Sequence, residues 1–167
     1  MARARVVEGL ECDQPFALAG AHVVAFRGAE VIEHSRDVLD VDDIERVHDM
    51  RVATRRLRAA MEIFAPCFPR KQLRATLKEV KVIADALGER RDRDVAIEQL
   101  ESFIERAGAS DRAGVADLVE TLRAEQAVAN ERLVPFVTAD RLEALRTNLA
   151  ELVEAAWAAA AEAEAVR

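Results

Sequence analysis

The sequence contains no tyrosine, and aromatic residues make up only 4% of it. Its two cysteines, Cys12 and Cys67, do not have the spacing of a metal site, and we expect both to be free thiols in a reducing compartment. No segment approaches the run of about 18 apolar residues that a membrane span requires. These absences argue against a β-sandwich, a zinc domain and a membrane protein, and they favour a cytoplasmic location.

The composition that remains is typical of a helical domain. Ala, Leu, Val, Glu and Arg dominate the 167 residues, a length that fits one domain with a substantial core. No Gly/Ser-rich linker divides the chain. We therefore expect a loose N-terminal leader over residues 1–13 and a helical bundle over 14–167.

Apolar periodicity and end signals predict about six helices in an all-α, up-and-down antiparallel bundle. Asp42 and Glu45 have the spacing of a capping box, and Gly88 is the residue type that often ends a helix. Ser110 and either Thr138 or Asp140 are candidate caps for later helices. The predicted helices cover about 14–39, 43–65, 70–87, 95–107 and 110–136, followed by a last helix from about 138.

The net charge of −7 is unevenly distributed along the chain. Residues 46–93 contain 13 basic and 6 acidic residues, a local charge of +7, so the remainder carries −14. An acidic protein ordinarily repels polyanions. The local excess of positive charge nevertheless predicts an anion-binding surface.

Two helices each carry a stripe of basic residues at helical spacing, separate from their apolar positions. The stripe on the predicted helix 43–65, named the α2 stripe, comprises His48, Arg51, Arg55 and Arg58. The stripe on the predicted helix 70–87, named the α3 stripe, comprises Lys71, Arg74, Lys78 and Lys81. Arg90 and Arg91 follow Gly88, where we expect a junction between helices whose amides could also bind an anion.

Like charges one turn apart repel each other, so an anionic ligand would explain these stripes better than a solvated face does, although the solvated face stays an alternative. Arginine suits bidentate contact with phosphate oxygens and lysine acts as a mobile point charge, which together favour a flexible polyanion. His48 has no nucleophile or carboxylate pair beside it in the pattern, so we interpret it as a ligand-contacting residue and expect no catalysis.

Two motifs resemble the CHAD family, the conserved histidine α-helical domains. The segment over residues 47–58, VHDMRVATRRLR, is similar to the hallmark helix of that family. Ala86-Leu87-Gly88 followed by RRDRDV over residues 90–95 resembles its second landmark. The resemblance covers about residues 14–165.

The resemblance implies a helical domain that binds inorganic polyphosphate. The Cys and His positions form no recognisable metal-site pattern, so we expect neither a metal nor another cofactor. The resemblance assigns polyphosphate binding to one set of residues and, more weakly, to a second. The first set is His48, Arg51, Arg55, Arg58, Lys78, Lys81, Arg90 and Arg91. The second is Arg56, Lys71 and Arg74. Association with polyphosphate granules would follow from such binding.

A usual member of the family has two similar bundles related by a pseudo-twofold axis, and this sequence contains the basic helix only once. We therefore expect a homodimer that replaces the missing half. The hydrolytic tunnel domain of some relatives has no counterpart in this sequence. A helical adaptor that docks an acidic or helical protein partner is the main alternative, and nucleic-acid binding and phosphate hydrolysis are weaker ones.

Overall fold

A computed structural model describes residues 5–165, and within that range all regular structure is helical, with no strand. The helices are α1 (Phe16–His34), α2 (Ile44–Ile63), α3 (Arg70–Ile104), α4 (Ala109–Leu133) and α5 (Ala139–Ala165). Short 3₁₀ turns containing Pro66 and Pro135 follow α2 and α4. The predicted all-α fold is confirmed, with five helices where about six were expected.

The difference in number comes from Gly88, which does not end a helix. The predicted helices 70–87 and 95–107 form one continuous helix, α3, of 35 residues. Glycine costs only about 1 kcal/mol relative to alanine inside a helix, so neighbours that favour the helix can override it. Leu87, Arg90, Asp94 and Ile97 keep facing inward at helical spacing across this point. The predicted C-cap at Gly88 and the junction after it are therefore wrong.

The long helix α3 organises the bundle because α2, α4 and α5 pack along it, while α1 packs on α2 and α5. α2 packs between α1 and the middle of α3, while α5 covers α1 and the first half of α3. Asn148 on α5 donates a 2.9 Å hydrogen bond to Glu79 on that first half. Gln126 on α4 donates a 2.6 Å hydrogen bond to Asp94 on the second half. As a result, α4 and α5 lie against successive parts of the same helix.

Aliphatic side chains from α1, α2, α3 and α5 form the main core. Met50, Leu57 and Met61 of α2 are fully buried there, as are Leu145 and Leu152 of α5. Each buried side chain of this size contributes roughly 1.5–3 kcal/mol relative to its exposed state. The apolar face of α2 is thus used for packing, which leaves its basic face at the surface.

Two glycines of α1 allow neighbouring elements to approach closely. A Cβ at Gly20 would lie 2.7 Å from the ring of Phe64, and one at Gly28 would lie 3.0 Å from Leu149. Real Cβ atoms are not found at the first of these distances. Gly20 therefore permits the end of α2 to pack against α1.

Several predicted helix ends differ from the observed ones. The predicted first helix extends to 39, but α1 ends at His34 and Asp37 has a positive φ of 53° in the following turn. Asp43, not Asp42, occupies the N-cap of α2, and neither a capping box nor a side-chain cap is formed there. Ser110 lies inside α4, whereas Thr138 does accept a 3.4 Å hydrogen bond from the Arg141 amide as a cap of α5.

The N-terminal segment contacts α1 through Arg5, which forms a 2.6 Å ion pair with Glu33. The hydrogen bond that Arg5 donates within this ion pair lowers the pKa of Glu33 below its usual range. Residues 1–4 of the predicted leader lie outside the described range. Across residues 5–165, no helix is both long and apolar enough to cross a membrane.

Candidate functional site

The arginines of the α2 stripe line a groove of about 540 Å³ between α2 and α3. Arg51, Arg55 and Arg58 form its α2 wall. Gly88 lies on the opposite wall, and a Cβ there would be 3.9 Å from the Arg51 Nε. Gly88, which does not end α3, thus lies where Arg51 of α2 crosses α3.

Two of the three arginine head groups in this groove have no partner among the described residues. Across the described residues, the guanidinium groups of Arg51 and Arg55 form neither a hydrogen bond nor an ion pair. Arg58 lies 3.9 Å from Glu62, at the outer limit of an ion pair and on an exposed surface where such pairs contribute little. The donors in this groove therefore remain available to an anion.

The α3 stripe lies at the surface in the first half of that helix. Its members, Lys71, Arg74, Lys78 and Lys81, form no side-chain ion pair or hydrogen bond with the described part of the chain. Lys78 lines a second, smaller groove together with Arg141 of α5. The structure thus brings Arg141, a basic residue outside both predicted stripes, close to the α3 stripe.

Acidic residues continue the face of the α3 stripe toward the C-terminus. Asp85, Glu89 and Asp92 follow Lys81 at intervals of four, four and three residues, so they lie on the same face of α3. All three line the groove opposite the arginines of α2. The spacing of these acidic residues can be read from the sequence, but they share a face only because α3 continues past Gly88, where a helix end was predicted.

His48 lies near the beginning of the α2 stripe, beside two carboxylates. Potential ligand atoms of Glu45, His48 and Asp49 lie within 4.8 Å of one another, as residues at i, i+3 and i+4 on a helix allow. Glu45 also forms a 3.4 Å ion pair with Arg91. In the described part of the chain, this group is the one that could hold a metal ion, but an existing ion pair occupies one of its members.

Arg90 does not reach the predicted surface. Its side chain is 0% exposed and lies 3.2 Å from the Oδ1 of Asp94, which is equally buried. Burial lowers the pKa of Arg90 and raises the pKa of Asp94, while the attraction between the two opposes both shifts. The Arg90–Asp94 pair belongs to the interior packing of α3 against its neighbours.

Arg91 and Arg56 are also separate from the two stripes. Arg91 is largely buried and donates a 3.2 Å hydrogen bond to the Ile44 carbonyl, which ties α3 to the first residue of α2. Arg56 follows Arg55 by one residue and so lies about 100° around the helix from it. Arg56 has an interaction partner of its own.

In the described part of the chain, the basic side chains of the two stripes thus lie along two adjacent helices of an all-helical domain. The CHAD domain family model matches residues 23–167 of the chain. The chain therefore belongs to the CHAD family. No curated protein sequence matches it at a significant level.

Proposed function

We propose that this chain binds inorganic polyphosphate through one continuous basic path along α2 and α3. The observation that carries this proposal is the set of partnerless cations: Arg51, Arg55 and the four members of the α3 stripe have no internal ion pair across the described residues. If this face served only for solubility, we would expect acidic side chains of the protein to pair with its cations and neutralise them. Membership of the CHAD family makes polyphosphate the first ligand to test.

The register of the two helices joins the stripes end to end. Arg91 contacts Ile44, and Arg51 lies beside Gly88, so α2 and α3 run antiparallel. Moving along α2 beyond Arg58 therefore leads to Lys81 and then to the rest of the α3 stripe. The first and last members of each stripe are ten positions apart, or about 15 Å, which gives a path of about 30 Å.

The two parts of the path offer different chemistry to phosphate. The planar guanidinium groups of the α2 stripe can each contact two phosphate oxygens, whereas the mostly lysine α3 stripe supplies mobile point charges. A linear polyphosphate can contact both parts at once, which orthophosphate is too small to do. We assign ligand contact to the two stripes, which include His48, and the positioning of α2 against α3 to Arg91.

The proposed role is targeting or scaffolding without turnover. His48 and the neighbouring carboxylates of Glu45 and Asp49 come nearest to a hydrolytic group, but Glu45 already forms an ion pair with Arg91. We expect no orthophosphate release from polyphosphate. Release that is lost in His48→Ala would instead establish phosphohydrolase activity. A cytoplasmic location on polyphosphate granules is the location that this role implies.

We further propose a homodimer in which a second copy supplies the half that a usual CHAD domain contains. A true twofold axis would then replace the pseudo-twofold axis and place two basic paths in one assembly. Light scattering across a concentration series measures the mass directly. A monomer at concentrations where polyphosphate binds would rule the dimer out while leaving the binding proposal intact.

The binding test is calorimetric titration of long-chain polyphosphate into the wild type and Arg51→Glu/Arg55→Glu at low and moderate salt. The matched control is Arg36→Glu/Arg106→Glu, which makes the same change of charge at surface arginines outside the path. We expect at least a tenfold loss of affinity in the first variant, since charged hydrogen bonds contribute roughly 1.5–3 kcal/mol each. The control should bind nearly as the wild type does.

Orthophosphate and duplex DNA complete the titration as competitors. Equal losses in both double variants would show that only net charge matters and would contradict the path. No binding by a folded wild type would contradict the proposal as a whole.

A protein adaptor is the second candidate, and one feature of the structure favours it. An apolar groove of about 730 Å³ lies between α1 and α5, with Trp157 in its lining and 47% exposed. A partner helix could place its apolar face in such a groove. Tight binding of a purified helical partner that is lost in Trp157→Ala, together with absent polyphosphate binding, would favour the adaptor.

A further inference from the structure

The proposed site includes acidic residues that a simple receptor for polyanions would not need. Asp85, Glu89 and Asp92 form the α3 wall of the groove, directly opposite the three arginines of α2. No ion pair crosses the groove within 4.0 Å among the described residues. Glu89 lies 3.6 Å from Arg132 of α4, and the other two acids have no ion pair in that part of the chain. Opposite charges therefore face each other without direct contact.

Such carboxylates act as counterions that are part of the protein. Packed helix axes are about 8–10 Å apart, and the Debye length at physiological salt is about 8 Å, so the acids partly neutralise the arginines across the groove. Non-specific binding of nucleic acid depends largely on the salt ions released when cations neutralise phosphates. Arginines that are already partly neutralised supply less of this long-range attraction. Their short-range, bidentate hydrogen bonds to phosphate are retained.

The shape of the groove turns this effect into selectivity. A single-file phosphate chain is narrow enough to lie along the α2 wall, in contact with the guanidinium groups and away from the acids. A nucleic-acid duplex is too wide to enter the space between adjacent helices, since its major groove alone is about 12 Å wide. It would lie across both walls of the groove and present phosphates to the arginines and to the acids. The acids consequently repel the duplex more strongly than the narrow chain.

We propose that Asp85, Glu89 and Asp92 are specificity determinants that exclude nucleic acid from the basic path and so favour a linear polyphosphate. The inference rests on the proposed polyphosphate function, because the path is the same. The inference adds that selectivity between polyanions comes from the three acidic residues on the α3 wall and not from the cations. The DNA-binding part of its test does not depend on whether polyphosphate binds.

The test compares duplex DNA and long-chain polyphosphate on the wild type and on Asp85→Asn/Glu89→Gln/Asp92→Asn, by fluorescence anisotropy over a series of salt concentrations. The matched control is Glu105→Gln/Asp117→Asn/Glu151→Gln, which removes the same charge at exposed positions outside the groove. Circular dichroism and urea denaturation verify that both variants are folded.

We expect the groove variant to bind DNA roughly tenfold more tightly than the control does, and its polyphosphate affinity to change by less than about threefold. Its salt slope for DNA should become steeper by about 2, because up to three arginines gain full neutralising power at about 0.9 per phosphate. Equal DNA binding by both variants, or equal gains for both ligands, would overturn the inference. Failure of the wild type to bind polyphosphate would contradict the proposed function separately.

Discussion

The buried pair of Arg90 and Asp94 gives the sharpest test of the interior of this fold. Both side chains are 0% exposed, and their closest charged atoms are 3.2 Å apart. In Asp94→Leu the guanidinium group loses its buried partner but stays inside the bundle. Breaking a buried ion pair from one side costs about 3–5 kcal/mol, because an uncompensated charge remains.

For a domain of this size, each kcal/mol lowers Tm by about 2–4 °C, so the variant should melt roughly 6–20 °C below the wild type. Urea denaturation followed by circular dichroism measures the free energy of unfolding, and a thermal melt gives Tm. The double variant Arg90→Met/Asp94→Leu removes both charges and should recover most of the loss, as apolar replacement of a buried pair is often neutral or stabilising.

The pattern across these variants distinguishes a buried charge from a simple loss of packing. If Asp94→Leu melts with the wild type, Arg90 finds solvent and the pair is not buried in solution. If the double variant is as unstable as the single one, lost packing and not the unpaired charge causes the destabilisation. Recovery in the double variant alone identifies the unpaired guanidinium group of Arg90 as the cause.

Two glycines and the α3 stripe provide further predictions. Gly88→Ala should raise the free energy of unfolding by about 0.5–1 kcal/mol in urea, since its Cβ meets only Arg51 Nε at 3.9 Å; a loss would show strain at this crossing. Gly20→Ala should lower it by roughly 1–3 kcal/mol, because its Cβ would overlap the ring of Phe64; an unchanged midpoint would contradict this close packing. Lys78→Ala/Lys81→Ala should reduce the salt slope of polyphosphate binding by about 1–2, whereas an unchanged slope would place the ligand off the α3 stripe.

The sequence predicted the helical class and the apolar faces because both depend on local periodicity. The predicted helix end in the middle of α3 was wrong, because a glycine such as Gly88 is equally compatible with a helix end and with a close crossing of two helices. Only the position of Arg51 on another helix decides between these interpretations. The same limit affected Asp42, since Asp43 one residue later can also occupy the N-cap position of α2. Tertiary neighbours decide such cases, and they are remote in sequence.

The candidate site shows the same dependence on helix continuity. The two stripes were predicted from spacing within single helices, and the structure places their members at the surface. The assignment of Arg90 to the surface assumed an exposed junction after Gly88. Once α3 is continuous, Arg90 follows Leu87 at the inward-facing interval of three residues and must be buried.

The acidic face formed by Asp85, Glu89 and Asp92 likewise depends on the continuity of α3. In a broken helix, Asp85 and Asp92 would belong to different elements and would have no reason to share a face. In the continuous helix they extend the line of the α3 stripe and meet the arginines of α2. The proposed selectivity therefore depends on the change from basic to acidic residues along one face of α3, and not on the number of basic residues.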